Sequence, residues 1–374
     1  MKIPLVFVLL FVAIIIASEA APIINPPSHY MSLVKNFPPK YFKWTETRNY
    51  HKLRSLVKYE SSIRTAYKNG LVDDSVMNSL EDALKGREEL KKRVTSNIKI
   101  GDINDDIGYF GTISIGGQKF NVIFDTGSAD NIVISGITVK NQVFGITATE
   151  SDEFAGSQFD GIMGMAFDSI SSQAAPTPFS NMVQQNLVTQ QIFAFRLSRA
   201  ADHDTADHDT GIVTFGGVDI SLFTGTINFV NVVAKTGFWE IPMNDASVDG
   251  NSLGFKNKTT IIDTGTTLLL APPADVDAIH KKIPGSVLLK GGEYAVPCNT
   301  TAKVALKFNG VSYSIDSRDI ARDLVLAQKN LCLSGISPGV VGTNNQWLVG
   351  DVFIKNVYSV FDFGTRSVGF APLR

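Results

Sequence analysis

Residues 124–128 of this 374-residue chain read FDTGS, and residues 262–266 read IDTGT. Each stretch follows a short apolar, β-branched run, so each predicts a strand that ends in a tight turn presenting one carboxylate. An apolar-apolar-Gly echo follows each turn, in FDGIMG at 159–164 and in QWLVGD at 346–351. Two copies of one pattern predict a duplicated lobe, in which the two carboxylates face each other across a single site.

The candidate catalytic residues are Asp125 and Asp263. Two carboxyl groups within hydrogen-bonding distance cannot both ionise cheaply, so they tend to share one proton. The ionised member can take a proton from water while the protonated member donates to a carbonyl oxygen, which hydrolyses an amide without a metal or a covalent intermediate. A single Asp-Thr-Gly is usually only a turn. Two of them in matched strand contexts favour a catalytic pair.

The remaining residues of the two turns are predicted to support the carboxylates. Each Gly removes a Cβ where the backbone must approach a carboxylate. The hydroxyl residue after each Gly is placed to hold an outer carboxylate oxygen, and the Thr after each Asp is placed to tie the two turns together beneath the site. These supporting residues are Thr126, Gly127, Ser128, Thr264, Gly265 and Thr266.

From about Gly108 to its C-terminus the chain resembles the pepsin-like aspartic proteases. Residues 109–113 (YFGTI) look like the first mature strand of that family, and residues 347–353 (WLVGDVF) with 361–362 look like its closing segment. The resemblance implies an all-β, bilobal fold with a peptide cleft between the lobes and Asp125 and Asp263 as the catalytic pair. It implies an aspartic endopeptidase with an acidic optimum, a polypeptide substrate and no cofactor or metal. We expect a monomer.

The chain departs from the family after residues 131–135 (NIVIS), which lead directly into residues 136–139 (GITV). In pepsin-like enzymes several strands and a β-hairpin flap lie between the two stretches, so about 40 residues are missing here by alignment. No Tyr occurs between Tyr109 and Tyr294, so the flap Tyr is missing as well. Ile132 stands where many members carry the Trp that binds that Tyr. The first lobe is therefore predicted to be incomplete.

Three interpretations of this departure stay open. The chain is a splice or gene-prediction product that lacks an exon, a protease with a shortened first lobe, or a scaffold that binds peptide or glycan without turnover. A flap excludes water and orders substrate on closure. The scaffold is thus the alternative to an active endopeptidase.

The N-terminal residues predict entry into the secretory route. Lys2 precedes an apolar run over residues 3–17 and small residues up to Ala20, which is typical of a signal peptide over residues 1–20. A membrane helix is the alternative, but the run is short for spanning. We expect a destination outside the cell or in an acidic vacuolar or lysosome-like compartment, with no membrane association after signal removal.

A charge break predicts a propeptide over residues 21–93. Residues 22–93 hold 14 Lys and Arg against 8 Asp and Glu, whereas residues 94–374 hold 19 against 27. A basic segment can lie in an anionic cleft near neutral pH as an intramolecular inhibitor, and protonation of carboxylates would release it. Lys91, Lys92 and Arg93 form a processing site, with a solvated helix end as the alternative. The dispersed charge gives no sign of a nucleic-acid partner.

The body is predicted to divide into an N-terminal β-lobe over residues 94–240 and a C-terminal β-lobe over residues 241–374. In an oxidising compartment the two cysteines, Cys298 and Cys332, should pair, and they match the C-terminal disulfide of the family; a two-cysteine zinc site is a poor alternative. Asn257 and Asn299 begin glycosylation sequons. Few disulfides and a dibasic site are more typical of fungal members than of vertebrate ones.

Two further patterns complete the sequence-based expectations. The repeat ADHDTADHDT at residues 201–210 predicts an exposed hairpin loop, with divalent metal binding as the alternative. Helices are predicted near residues 179–184 and 273–280, and strands at 211–215 and 303–308. The histidines complete no Ser-His-Asp arrangement, so a serine-hydrolase mechanism is unsupported.

Overall fold

The structure is a computed structural model that describes residues 29–35, 109–115, 118–126, 137–144, 160–199, 211–233, 237–325, 330–340 and 343–374. These residues are mostly β. The strands are β1 (His29–Lys35), β2 (Tyr109–Ile115), β3 (Gln118–Asp125), β4 (Gly161–Gly164), β5 (Ile192–Arg196), β6 (Gly211–Phe215), β7 (Asn228–Asn231), β8 (Glu240–Met243), β9 (Asp245–Val248), β10 (Asn251–Ser252), β11 (Lys258–Ile262), β12 (Leu269–Ala271), β13 (Val287–Leu288), β14 (Tyr294–Pro297), β15 (Val304–Phe308), β16 (Val311–Ser314), β17 (Ala321–Leu324), β18 (Leu331–Ser334), β19 (Ile336–Pro338), β20 (Gln346–Val349), β21 (Val357–Asp362) and β22 (Ser367–Pro372).

Few helices accompany the strands in the described ranges, and all are short. They are a 3₁₀ helix (Asp168–Ile170), α1 (Pro178–Gln184), α2 (Pro273–His280), α3 (Ser317–Ile320) and α4 (Asp351–Ile354). The Thr177 side chain caps α1 by accepting from the Ser180 N–H, and a Pro occupies the first turn of both α1 and α2. The two helices and the two strands expected from the sequence are confirmed, as is the all-β class.

A nine-stranded sheet runs through the molecule in the order β4-β3-β2-β1-β6-β5-β21-β22-β7. Its last three strands come from residues after 227, so the sheet joins parts of both predicted lobes. Strand β1 lies in its middle, paired with β6 from His29 opposite Phe215 to Leu33 opposite Gly211, and with β2 at its other edge. A strand of the predicted propeptide is therefore built into the central sheet.

The C-terminal part of the chain forms three further sheets. Strand β11, which ends directly before Asp263, lies in a five-stranded sheet of order β19-β12-β20-β11-β8. Two four-stranded sheets have the orders β10-β9-β15-β16 and β13-β14-β18-β17. The predicted pairing of Cys298 with Cys332 is confirmed, since a disulfide joins them. It closes a loop of 34 positions, which stabilises the fold by about 3–4 kcal/mol in the chain-entropy estimate.

The abundant phenylalanines build the core between the sheet and α1. Phe179 of α1 packs edge-to-face on Phe193 at 4.6 Å between ring centroids. Phe361 of β21 lies 5.8 Å from both Phe193 and Phe195 of β5. The C-terminal strands are thus held in the central sheet by aromatic packing as well as by backbone pairing.

Several sequence-based predictions lie outside the described residues. These are the signal peptide, most of the propeptide, and the processing site at Lys92 and Arg93. Strands β5 and β6 do pair antiparallel, so the Asp-His repeat falls in a hairpin connection, although residues 200–210 themselves are not described. The lobe boundaries and the incompleteness of the first lobe stay predictions.

Candidate active site

The first turn is positioned by two parallel strands. Strand β3 runs beside β4, with Phe124 opposite Met163 and Asp125 opposite Gly164. The Met165 N–H then donates to the Asp125 carbonyl at 2.9 Å. The apolar-apolar-Gly echo is therefore the neighbouring strand that fixes the end of β3, where the first carboxylate projects.

The second turn repeats this arrangement. Strand β11 runs parallel to β20, with Ile262 opposite Val349, and the Asp263 N–H donates to the Val349 carbonyl at 2.8 Å. Within the turn, the Gly265 N–H donates to the Asp263 carboxylate at 2.7 Å, and the Thr266 hydroxyl donates to its other oxygen. Both carboxylate oxygens of Asp263 therefore have donors from its own turn.

The two turns meet through their threonines. The hydroxyls of Thr126 and Thr264 lie 2.7 Å apart. Each backbone N–H donates to the other residue's hydroxyl, from Thr264 at 2.9 Å and from Thr126 at 3.2 Å, and the Thr264 hydroxyl also donates to the Phe124 carbonyl at 3.0 Å. This buried cross-link joins the two turns.

The threonine cross-link brings both candidate carboxylates to one place. Asp125 and Asp263 each directly precede a linked threonine, and consecutive Cα atoms are only about 3.8 Å apart. Both aspartates are buried, with 1% and 0% of their surface exposed. A buried carboxylate is costly unless it is hydrogen-bonded or protonated, and the donors of its own turn meet this need for Asp263.

A second layer behind the Asp263 turn was missed by sequence reasoning. The N–H groups of Gly350, Asp351 and Val352 donate to the carbonyls of Leu268, Thr266 and Thr267 at 3.1, 2.8 and 3.1 Å. A Cβ at Gly350 would overlap the carbonyl oxygens of Thr266 and Leu268, which explains the Gly of the echo. The sequence shows Gly350 in the apolar-apolar-Gly echo, but it does not show that this Gly packs against the carbonyls of Thr266 and Leu268.

Sequence reasoning also missed a connection between the two turn regions through residues 237–239. The Gly237 carbonyl accepts from the Phe167 N–H and the Trp239 carbonyl accepts from the Ile262 N–H, both at 3.3 Å. The Trp239 ring contacts the Phe167 ring, with centroids 3.7 Å apart. Residues 237–239 therefore connect the segment after β4 with the residue before Asp263.

The remaining candidate residues are placed as follows. Gly127 and Ser128 lie outside the described residues. Asn257 and Asn299 are exposed, as an acceptor for glycosylation must be. Among the residues that the structure describes, no group of three His, Cys, Asp or Glu side chains is arranged to hold a metal. In the same part of the chain, no helix has the length and apolar character needed to cross a membrane.

The fold and site together define a two-lobed β protein with duplicated, cross-linked Asp-Thr turns. The eukaryotic aspartyl protease family matches residues 129–373 of the chain. The chain is 33% identical to cathepsin D of Dictyostelium discoideum over an alignment of 336 positions, covering 74% of this chain and 86% of the relative. It is 30% identical to pepsin A of Callithrix jacchus over 381 positions, covering 85% and 95%. The chain belongs to the eukaryotic aspartyl protease family.

Two fungal relatives are matched over a smaller share of their length. The chain is 34% identical over 290 positions to the aspartic-type endopeptidase ctsD of Aspergillus fumigatus, which covers 77% of this chain and 58% of the relative. It is 38% identical to a probable aspartic-type endopeptidase of Arthroderma benhamiae, covering 51% of that protein. The chain thus spans between half and three fifths of the length of these relatives.

Proposed function

We propose that the chain is the precursor of an aspartic endopeptidase that hydrolyses polypeptides by a water activated between Asp125 and Asp263. The observation that carries this proposal is the cross-link between Thr126 and Thr264, because it holds two aspartate turns in one buried site. Shared protonation leaves one carboxylate as the general base toward water and the other as the general acid toward the peptide carbonyl. Because each carboxyl needs the other in the opposite protonation state, activity belongs to acidic pH.

The Thr266 hydroxyl and the Gly265 N–H fit a defined role in this reaction. Both donate to the carboxylate of Asp263, one to each oxygen. In the proposed mechanism they orient the Asp263 carboxylate toward the water, with no residue forming a covalent bond to substrate.

Substitution of each aspartate tests the proposal. Asp125→Asn and Asp263→Asn keep size and hydrogen-bonding capacity but remove one acid or base, so each should lower cleavage of a denatured protein at acidic pH by on the order of 10³-fold or more. The matched control is Asp249→Asn, an exposed residue in a hairpin turn at positive φ, which Asn tolerates. Cleavage that survives in both aspartate variants would contradict the dyad mechanism.

One observation favours a second candidate, a scaffold that binds peptide without turnover. Only 39 positions separate Asp125 from Gly164, whereas 87 separate Asp263 from Gly350. A short first lobe leaves less chain to cover substrate and exclude water. For this candidate, calorimetry would detect peptide binding in wild type, Asp125→Asn and Asp263→Asn alike, with no cleavage in any of them.

We also propose that residues 21–93 act as an inhibitory propeptide of this enzyme. Their positive charge and the placement of β1 between β2 and β6 support the assignment. Ion pairs to the acidic body weaken with salt and with acid, but the β1 ladder is made of backbone hydrogen bonds that do not titrate. Acid should therefore release the charged remainder first, with cleavage near Arg93.

Mass spectrometry of acidified protein tests this maturation scheme. A new N-terminus close to Val94 is the expected product, and Lys92→Gln with Arg93→Gln should retain the longer form. An intact chain beginning at Ala21 after prolonged incubation at low pH with a processing protease would contradict it.

We assign the protein to the secretory route as a monomer with glycans at Asn257 and Asn299. Endoglycosidase treatment of secreted protein should reduce its mass.

A further inference from the structure

A buried histidine joins α2 to two strands of the C-terminal part. His280, at the end of α2, is only 1% exposed. Its Nδ1 lies 2.8 Å from the Val276 carbonyl oxygen in the same helix, and its Nε2 lies 2.8 Å from the Ser334 hydroxyl of β18. The ring stacks on Tyr294 of β14, with centroids 4.2 Å apart and 12° between the planes.

The partners of His280 define its tautomer. A carbonyl oxygen can only accept, so Nδ1 carries the hydrogen and Nε2 of the neutral ring must accept. The Ser334 hydroxyl is then the donor to Nε2. The Ser334 oxygen in turn accepts from the Ile336 N–H at 3.1 Å. In the neutral form, every polar group of this chain of contacts has a partner of the right kind.

Protonation of the ring breaks this pattern. A hydrogen on Nε2 would point at the Ser334 oxygen, so the Ser334 hydroxyl would have to rotate away and lose its acceptor. A buried polar group without a partner costs free energy, and a buried imidazolium costs more. The hydrogen bonds of His280 and Ser334 are therefore all satisfied only when His280 is neutral.

Charged groups near the ring act in both directions. On α2, Asp277 accepts from the Tyr294 hydroxyl at 2.9 Å and pairs with Lys281 at 2.5 Å. At the start of β14, the buried carboxylate of Glu293 accepts from the Ser337 hydroxyl of β19. Burial lowers the pKa of His280 to about 4, against the opposing effects of the Val276 carbonyl, Asp277 and Glu293.

We propose that His280 is an acid-sensitive latch, in which protonation of the imidazole releases Ser334 and loosens α2 from strands β18 and β19. The structure gives this loosening a route toward the site. Ser334 leads through Gly335 into β19, which pairs with β12, and the Gly335 carbonyl accepts from the Leu269 N–H at 3.0 Å. Strand β12 follows the Asp263 turn directly. The inference concerns the fold and does not require the protein to be an active protease.

The direction of the pH effect follows from the two protonation states. The folded form binds the proton less tightly than an unfolded chain, whose His pKa is about 6.5. The penalty is absent above pH 6.5, develops as the pH falls, and is complete below about pH 4. At pH 4 the equilibrium constant for opening of the contact between His280 and Ser334 should therefore be on the order of 10²-fold higher than above pH 6.5.

Hydrogen exchange of the full chain at pH 7 and pH 4 tests the latch. After correction for intrinsic exchange rates, wild-type peptides covering residues 276–283 and 331–338 should lose on the order of 10²-fold protection at pH 4. His280→Gln keeps an acceptor for Ser334 but cannot be protonated, so its loss should be only a few-fold. Lys282→Gln, an exposed change nearby on the same segment, serves as the control and should behave as wild type.

Two results would overturn the proposal. One is equal acid loss of protection in wild type and His280→Gln, and the other is unchanged protection in wild type at pH 4. Nuclear magnetic resonance of wild-type protein labelled at histidine keeps the test available if His280→Gln does not fold. The ring assigned to His280 by its contacts with Tyr294 should titrate near pH 4, and titration near 6.5 would refute the latch.

Discussion

The two aspartate turns have the same strand arrangement, but the chain segments that connect their paired strands differ in length. In each, a strand carrying Asp at its end runs parallel to a strand that supplies two apolar residues and a Gly. The connection between the two strands differs by more than a factor of two, with 39 positions from Asp125 to Gly164 and 87 from Asp263 to Gly350. The same pair of parallel strands thus sets each aspartate turn, and the threonine cross-link joins the two.

The longer connection, from Asp263 to Gly350, contains several further elements. Between β12 and β19 it holds α2, the sheet β13-β14-β18-β17 and the disulfide. On the first-lobe side, residues 137–144 are attached to α1, where the Asn181 amide donates to Gln142 at 2.7 Å and Gln185 exchanges hydrogen bonds with Lys140. Val143 and Phe144, the last described residues of this segment, are 49% and 45% exposed.

Lengthening the short connection should have the largest effect on this comparison. A segment of about 40 residues carrying the strands and flap of a pepsin-like relative, inserted between Ser135 and Gly136, should raise cleavage of denatured protein on the order of 10²–10³-fold, because closure orders the substrate and excludes water. Initial rates at acidic pH measure this. A Gly/Ser insertion of equal length is the control and should give no gain; equal rates for all three chains would mean that the short lobe is not what limits activity.

A buried cluster of ion pairs that joins residues far apart in the chain offers a second test. Asp319 of α3 is 2% exposed and binds Arg199, which follows β5, at 2.7 Å and the fully buried Lys355 at 2.9 Å. Asp319→Asn would leave both cations without their carboxylate and should cost about 3 kcal/mol in the free energy of unfolding measured with urea. Arg318→Gln, a neighbouring exposed ion-pair residue, should cost less than about 1 kcal/mol.

The pH dependence of the Asp319 effect has the same sign as that of His280, because both lose stabilisation as the pH falls, but it lies at lower pH. Burial would raise the pKa of Asp319, but Lys355 and Arg199 outweigh it and hold the pKa below the ordinary 3.8. A lowered acid pKa means that the stabilisation is present above about 3.8 and is lost only as the pH falls through the lower folded value. The cost of Asp319→Asn should therefore be the same at pH 7 and pH 5, and a cost that vanishes by pH 5 would contradict this.

The sequence predicted the elements that repeat and missed those formed by unlike residues. FDTGS and IDTGT located both turns, and alternation and Pro-capped periodicity located β6, β15, α1 and α2, because each of these signals is local. The partners of Asp319, the contacts of Trp239 and the contact of His280 with Ser334 join residues 23 to 120 positions apart. Such contacts depend on how the strands are arranged, which no short pattern encodes.

Strand β1 illustrates the same limit. The charge of residues 22–93 predicted association with the body through ion pairs, yet residues 29–35 enter the central sheet by backbone pairing. Backbone hydrogen bonds carry no residue-type signal, so composition could not reveal this strand.

Substitutions in the threonine cross-link should have effects no larger than that of Asp319→Asn, and they compare the two turns directly. Thr264→Val removes bonds to the Thr126 N–H, the Thr126 hydroxyl and the Phe124 carbonyl, whereas Thr126→Val removes only the two between the turns. With about 1 kcal/mol for each buried hydrogen bond, the expected losses of unfolding free energy are about 3 and about 2 kcal/mol. Urea unfolding measures both, and the Thr→Ser variants keep the hydroxyls as controls. A larger loss of unfolding free energy from Thr126→Val than from Thr264→Val would contradict the hydrogen bonds described between the two turns.

The pH dependence of kcat/KM for the mature chain tests most directly whether the two turns, with connections of unequal length, form one catalytic pair. Two carboxyls that share a proton give a bell-shaped profile with both limbs in the acidic range, since catalysis requires one of them protonated and the other ionised. We predict such a bell for wild type and its collapse in both Asp125→Asn and Asp263→Asn. A wild-type profile with a single limb, or an optimum above neutral pH, would contradict a shared site at Asp125 and Asp263.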